Sequence, residues 1–333
     1  ERVSADISYN INSSIDVGNV SLTSMSSDVN LGISSNTDSS IDVGNLSLTS
    51  MSSDVNLSIG DNDGSDVTLG NVVLDAGSDA DMSVVDNDNA TIVGQAITIS
   101  AGDLVVLDID DNDGSAVTFS DVSLQGDSVT VTLDADIDGA TDGSVSVGDI
   151  GVTTSDDFDF DVRGDQRLED VEVGNLTVNV DTSAGFTDSA EVNINADGVT
   201  GLDEITVTAS GGDVDVINID LRDNDDDTDS TYTTTTTSLI DLSGASSSDA
   251  VINIDFVDSV TYSGTDAASS VANGSANFSD DITIKFGDFN TATVETLIND
   301  GYNEFDVDDL DGVRQTYVFE GSDIGNITIY GFV

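Results

Sequence analysis

Along most of the chain, apolar residues alternate with polar ones. Val55-Asn56-Leu57-Ser58-Ile59 and Val129-Thr130-Val131-Thr132-Leu133 are clear cases. Alternation with period two, carried by Val, Ile and Leu, predicts β-strands with one buried and one exposed face. The strands are short and are punctuated by Gly, Asn and Asp. One helix is expected. Asn290 or Thr291 is placed to cap it, Val294, Leu297 and Ile298 share a helical face, and Gly301 follows as a stop.

The pattern repeats. Residues 13–30 recur at 39–56 with 17 of 18 positions identical, the exception being Val20 against Leu46. Weaker copies follow, marked by a strand, a Gly-Asn pair or its equivalent, and a second strand. The Gly-type positions 18, 44, 70, 94, 120, 148 and 174 are spaced by 26, 26, 24, 26, 28 and 26 residues. Fixed-period self-similarity of this length marks a repeat architecture. A helix-free unit of about 26 residues with two or three strands fits one coil of a parallel β-solenoid, with coils stacked about 4.8 Å apart. Tandem antiparallel β-sandwiches serve the same turn spacing and are the alternative. The solenoid is preferred because the period holds so evenly from 18 to 174. Residues 1–230 form the repeat region. Residues 231–333 hold 12 of the 17 aromatic residues and form a distinct C-terminal β domain, capping the repeats and carrying the one short helix. The alternation over residues 1–12, at Val3, Ala5, Ile7 and Tyr9, makes this segment a candidate for strand addition to another copy.

Charge changes the picture. The chain of 333 residues has 66 acidic residues, only eight of them Glu, against six Lys and Arg, and a formal charge of −60. Self-repulsion opposes compaction, and six cations do not neutralise it. Counter-ions must. Asp outnumbers Glu about seven to one, which favours bound divalent cations over a general salt-loving surface, because Asp is short, stiff and suited to Ca²⁺ loops. The Asp residues are also clustered. Candidate Ca²⁺ ligands are Asp61 and Asp63; Asp86 and Asp88; Asp108, Asp110, Asp111 and Asp113; Asp134, Asp136 and Asp138; and Asp223, Asp225 and Asp227. Oxygen ligands at every second residue, closed by Gly64, Gly114 or Gly139, make the front half of a Ca²⁺ loop. The closing Glu of a helix-flanked loop is missing, so the ions are expected at β-turns, shared between neighbouring coils. The competing reading is that these are ordinary solvated turns.

Composition excludes other classes. There is no Cys, His, Pro or Trp. Thiol and imidazole catalysis, disulfides and ordinary zinc sites are therefore absent. No basic footprint for nucleic acid exists, and no apolar run reaches the about 18 residues that cross a bilayer. No pair of carboxylates stands out as catalytic, and Arg163, Arg167 and Arg222 read as ion-pair partners of adjacent Asp stretches, so an enzyme is not expected. Nine Asn-x-Ser/Thr sequons occur, and Asn19, Asn45 and Asn175 share one repeat position. A left-handed turn residue after Gly is the simpler account of that position.

The last stretch reads Gly312-Val-Arg-Gln-Thr-Tyr-Val-Phe-Glu320, then an acidic turn, then Ile324-Gly-Asn-Ile-Thr-Ile-Tyr-Gly-Phe-Val333. It resembles the C-terminal ends of type I-secreted bacterial surface-layer and related extracellular repeat proteins. Thr316-Tyr317-Val318 matches their first strand, and residues 327–332 are similar to their second. The RTX motif Gly-Gly-x-Gly-x-Asp is absent, residues 211–215 being its nearest approach. The resemblance implies uncleaved C-terminal secretion signalling, Ca²⁺-dependent folding outside the cell and ordered self-assembly. The expected function is a structural extracellular subunit of a surface layer, sheath or filament, with itself as partner and cell-surface polysaccharide as a further candidate. The alternative is a Ca²⁺-stiffened adhesin or stalk. Because the chain begins at Glu1 and enters a repeat part-way, a processed or cut N-terminus is expected.

Overall fold

A computed structural model describes residues 2–134, 143–163, 171–181, 190–197, 199–210, 214–221, 237, 239–247, 250–256, 282–289, 291–298, 315–319 and 326–330. Every strand pairing among the described residues is parallel, so the chain is an all-β parallel solenoid and not a series of antiparallel sandwiches. It divides into two compact units, residues 1–154 with 170–173, and residues 155–169 with 174–333.

In the first unit one face is built by Val3–Ser8, Val29–Ser34, Val55–Gly60, Ala80–Val85, Leu104–Asp110 and Ser128–Asp134, each hydrogen-bonded to the next. The chain then turns and runs along a second face. There the strands Ser14–Ser24 and Ser40–Ser50 bend at Gly18-Asn19 and Gly44-Asn45. Later coils break at the same place into two strands, such as Asp66–Leu69 and Val72–Ala76. A corner leads back to the first face.

The register explains why the alternation is so regular. Parallel in-register stacking puts the same position of each coil directly above its equivalent, so Val29, Val55, Ala80, Val105 and Val129 form one internal column. Leu31, Leu57, Met82, Leu107 and Val131 form the next, and Ile33, Ile59, Val84, Ile109 and Leu133 a third. All fifteen are at most 2% exposed. A one-residue slip would turn a whole column to solvent, so burial itself sets the register.

Period changes are taken up at corners. The offset falls to 25 where the three-residue corner 77–79 replaces the four-residue corner 51–54. The shorter path forces a close approach. A Cβ on Gly77 would lie 2.3 Å from the Met51 carbonyl oxygen, so this corner requires glycine. One coil on, Gly94 leaves room for the buried Phe119 ring, whose atoms stand 2.5 Å from where a Cβ would be.

The second unit repeats the plan. Phe158–Arg163, Ala190–Asp197, Val214–Leu221, Ala250–Phe256, Thr291–Ile298 and Asn326–Tyr330 form one face. Leu176–Val180, Glu204–Ala209, Leu239–Ser247, Ile282–Phe289 and Gln315–Phe319 form the other.

Two expectations need correction here. The helix expected from Asn290 or Thr291 is the strand Thr291–Ile298, paired in parallel with Ala250–Phe256 through Ile252↔Val294 and Phe256↔Ile298. Val294 and Ile298 satisfy period two as well as the helical spacing, and five of the eight residues are β-branched. With a ladder edge already present, the strand wins. Tyr9, read as part of an alternating strand, lies beyond its end in a left-handed turn conformation with φ 57° and is 80% exposed. Val3–Ser8 is itself the solenoid strand that pairs with Val29–Ser34.

Candidate functional site

Six of the candidate ligands, Asp61, Asp63, Asp86, Asp88, Asp111 and Asp113, lie at the turn joining the first face to the second. This turn has a fixed five-residue form, seen at residues 9–13, 35–39, 61–65, 86–90 and 111–115. Its first residue is left-handed: Tyr9, Ser35, Asp61, Asp86 and Asp111 have φ between 50° and 57°. Its fourth is left-handed too, as Asn12, Asp38, Gly64, Asn89 and Gly114. Asp, Asn and Gly tolerate that conformation better than other residues, so the turn geometry alone accounts for part of the Asp enrichment.

The second residue of the turn is the one that sequence reasoning missed. In Asp61-Asn62-Asp63, Asp86-Asn87-Asp88 and Asp111-Asn112-Asp113, the Asp residues are exposed and the Asn points inward. Asn36, Asn62, Asn87 and Asn112 are 0 to 2% exposed. Their amides form a ladder. Asn10 Nδ2 donates to Asn36 Oδ1 at 2.8 Å, Asn36 to Asn62 at 2.8 Å, Asn62 to Asn87 at 2.8 Å, and Asn87 to Asn112 at 2.7 Å. The second Nδ2 hydrogen goes to a strand carbonyl, Ile7 O from Asn36, Ile33 O from Asn62, Ile59 O from Asn87 and Val84 O from Asn112. Three residues on, a buried Ser repeats the scheme. Ser39 Oγ accepts from Ser13 N, Ser65 Oγ from Ser39 N, and Ser115 Oγ from Ala90 N. The legible signal is Asn-x-x-Ser at positions 10, 36, 62 and 112, masked by the flanking carboxylates.

The carboxylates therefore stand in columns outside an amide core. Asp61, Asp86 and Asp111 occupy the first turn position of successive coils. Asp63, Asp88 and Asp113 occupy the third, and Asp63 and Asp88 are direct bridge partners. At a coil spacing of about 4.8 Å, two unit charges repel by about 1 kcal/mol even in bulk water. Asp108, Asp110 and Asp134 lie on the first face itself and are half-buried. The Asp108 carboxyl titrates above the ordinary range because burial strips its solvation, with Asp110, Asp81 and Asp111 adding repulsion. Asp110 Oδ1 accepts the Asp111 N–H at 2.8 Å. Asp136, Asp138, Asp223, Asp225 and Asp227 lie outside the described residues, as do Arg167 and Arg222.

Among the described residues, no three acidic side chains converge on one point in the way a closed metal cage requires. What the geometry offers is an open rail of carboxylates over three successive coils, in which Asp86 lies between Asp61 and Asp111, and Asp88 between Asp63 and Asp113. A cation on such a rail would bridge coils and keep part of its water shell. Among the described residues, no helix is long and apolar enough to cross a membrane.

The shared sequon position also differs from expectation. The left-handed residue is Gly18, with φ 64°, not Asn19. Asn19 Oδ1 instead accepts the Asn45 N–H at 2.9 Å, and Asn45 Oδ1 the Asn71 N–H at 2.9 Å. Asn is there to continue hydrogen bonding across the bend.

Comparison of the chain with protein-family models, with curated proteins and with solved structures found no match.

Proposed function

We propose that the protein is a structural, self-assembling extracellular subunit of a surface layer, sheath or filament, whose fold and assembly use Ca²⁺ held along its Asp turns. The observation that carries this reading is the in-register carboxylate rail: Asp61, Asp86 and Asp111 in one column, Asp63, Asp88 and Asp113 in another, on a chain with formal charge −60. Stacked like charges call for an external counter-charge, and a divalent ion satisfies two carboxylates on adjacent coils at once. The same chemistry would join copies, because two surfaces of equal sign approach only when ions bridge them. The C-terminal resemblance to type I-secreted surface-layer proteins points to export before folding. Low Ca²⁺ inside a cell would keep the chain open, and extracellular Ca²⁺ would trigger folding by mass action.

The test is to follow the full chain by far-UV circular dichroism and negative-stain microscopy, in Ca²⁺ and then in excess EGTA, at constant ionic strength. The proposal expects β signal and ordered polymers in Ca²⁺ and the loss of both in EGTA. Order that survives EGTA but fails when NaCl is lowered would refute it in favour of a salt-solvated acidic surface. A Ca²⁺-dependent monomer that never polymerises would favour a stiffened adhesin stalk.

A further inference from the structure

The turn that carries the carboxylate rail changes chemistry along the stack. Its first position holds Asp111, Asp86 and Asp61, then Ser35 on the second coil and Tyr9 on the first. Its third position runs from Asp88 through Asp63 and Thr37 to Ile11, each bridged to the next. Tyr9 is 80% exposed and Ile11 66%. The turn itself calls for neither side chain, since Tyr9 holds a φ of 57° that Asp, Asn and Gly fill more easily.

The rest of the first coil follows the same trend. Among the described residues, Val3–Ser8 ends its sheet, with Val29–Ser34 on one side only. Its inward side chains Val3, Ala5 and Ile7 stay partly exposed, whereas their register neighbours Val29, Leu31 and Ile33 are at most 2% exposed. Met25, in the corner at the Val3 end of this face, is 77% exposed. Residues 3–28 carry three carboxylates against six in residues 105–128, and one of the three, Asp28, is paired with Arg2 at 3.6 Å. Apolar, aromatic and charge-poor is the composition of an interface core. An open strand edge is a template for pairing.

We propose that this end coil docks on the end coil of a second copy, head to head about a two-fold axis, with the two Val3–Ser8 strands paired antiparallel. Residues directly opposite in an antiparallel pair point to the same side, so the axis passes through a residue. Centred on Asp6, it would set two like carboxylates against each other. Centred on Ala5, it places Val3 opposite the partner's Ile7 and Ser4 opposite the partner's Asp6, and the inward columns continue across the junction. The antiparallel sense also lays the turn of each copy, with Tyr9 and Ile11, over the Met25 corner of the other, so the exposed apolar side chains cover one another. Such a contact closes on itself. It shares with the function proposed above only the second copy, and needs no Ca²⁺ between copies.

The chain has no Cys, so a single introduced thiol reports the contact. Ser4→Cys lies beside the axis. Ser58→Cys is exposed on the same face two coils further in, where the two-fold contact separates the thiols by five coil spacings, about 24 Å. Each full-length variant is treated in Ca²⁺ with a short bismaleimide and resolved on a denaturing gel. S4C is expected to give covalent dimers and S58C none. Adding Tyr9→Asp and Ile11→Asp to the S4C chain gives the first coil the residues that Asp61 and Asp63 supply to the third, which the turn accepts. The dimer yield should then fall about tenfold, because the new like charges lie in the contact. No S4C dimer, an equal yield from S58C, or a yield indifferent to Y9D and I11D would overturn the proposal. Negative-stain microscopy of the S4C chain separates this result from the function proposed above. Polymers without covalent dimers would overturn the two-fold contact alone, and dimers without polymers would support it while refuting the surface-layer reading.

Discussion

Replacing Asn62 by Asp changes one atom in a residue that is fully buried and makes contacts in both directions along the stack. Asn62 Oδ1 accepts from Asn36 Nδ2 at 2.8 Å and from Asn36 N at 3.3 Å, and an Asp oxygen can keep both bonds. The loss is on the other side. Asn62 Nδ2 donates to Asn87 Oδ1 at 2.8 Å and to Ile33 O at 3.1 Å, and a carboxylate faces those two oxygens with a third acceptor. Two buried hydrogen bonds vanish, two acceptors lose a donor, and a charge is held in the interior. Together these should cost about 4 kcal/mol at pH 7, a large share of a typical total stability of about 5–15 kcal/mol. The pH response has a definite sign. Burial raises the folded carboxyl of the variant above its unfolded value of about 3.9. The deficit relative to the natural protein is therefore smallest at low pH, and grows as pH rises from there until the folded value is passed, by up to about 1.4 kcal/mol per unit. Urea unfolding followed by far-UV circular dichroism at pH 4 and pH 7, in constant salt and Ca²⁺, measures both features. Asp75→Asn, exposed on the second face and outside the candidate ligands, is the control and should move stability by no more than about 0.5 kcal/mol. An N62D protein within 1 kcal/mol of the natural one, or a deficit indifferent to pH, would refute the claim that the amide ladder supports the turn.

Other outcomes follow from the same geometry. Leu57→Ala empties a slot between Leu31 and Met82 in a fully buried column, and should cost about 3 kcal/mol in the same assay. Gly94→Ala drives a methyl group into the Phe119 ring and should destabilise by about 1–3 kcal/mol, with Phe119→Leu in the same chain recovering part of the loss. The triple variant Asp61→Asn, Asp86→Asn, Asp111→Asn keeps residues that tolerate the left-handed turn while removing one carboxylate column. It should unfold at higher urea than the natural protein when Ca²⁺ is scarce and gain less from added Ca²⁺. An unchanged Ca²⁺ response would move the ions off that column.

How far the sequence could be read depended on what each residue needed to know about its neighbours. The solenoid was legible because every coil buries the same alternating columns, so a local pattern repeated at about 26 residues already contains the global register. The turns were legible as turns, since left-handed positions select Asp, Asn and Gly one residue at a time. The helix expected at 291–298 failed because β-branched residues with two compatible periods take their conformation from the ladder beside them, here Ala250–Phe256. The division of labour inside Asp-Asn-Asp was not legible. Both residue types suit the same turn, and only the path of the chain decides which of them points inward.

Sequence alone thus determined the strands of the repeat region, the period, the absence of thiol and imidazole chemistry, and the charge that must be countered. The tertiary structure alone decided that Asn62, Asn87 and Asn112 form a buried amide ladder while Asp61, Asp86 and Asp111 form an exposed rail. The physical reason is that hydrogen-bond polarity and burial are properties of pairs on adjacent coils, about 26 residues apart in sequence and about 4.8 Å apart in space.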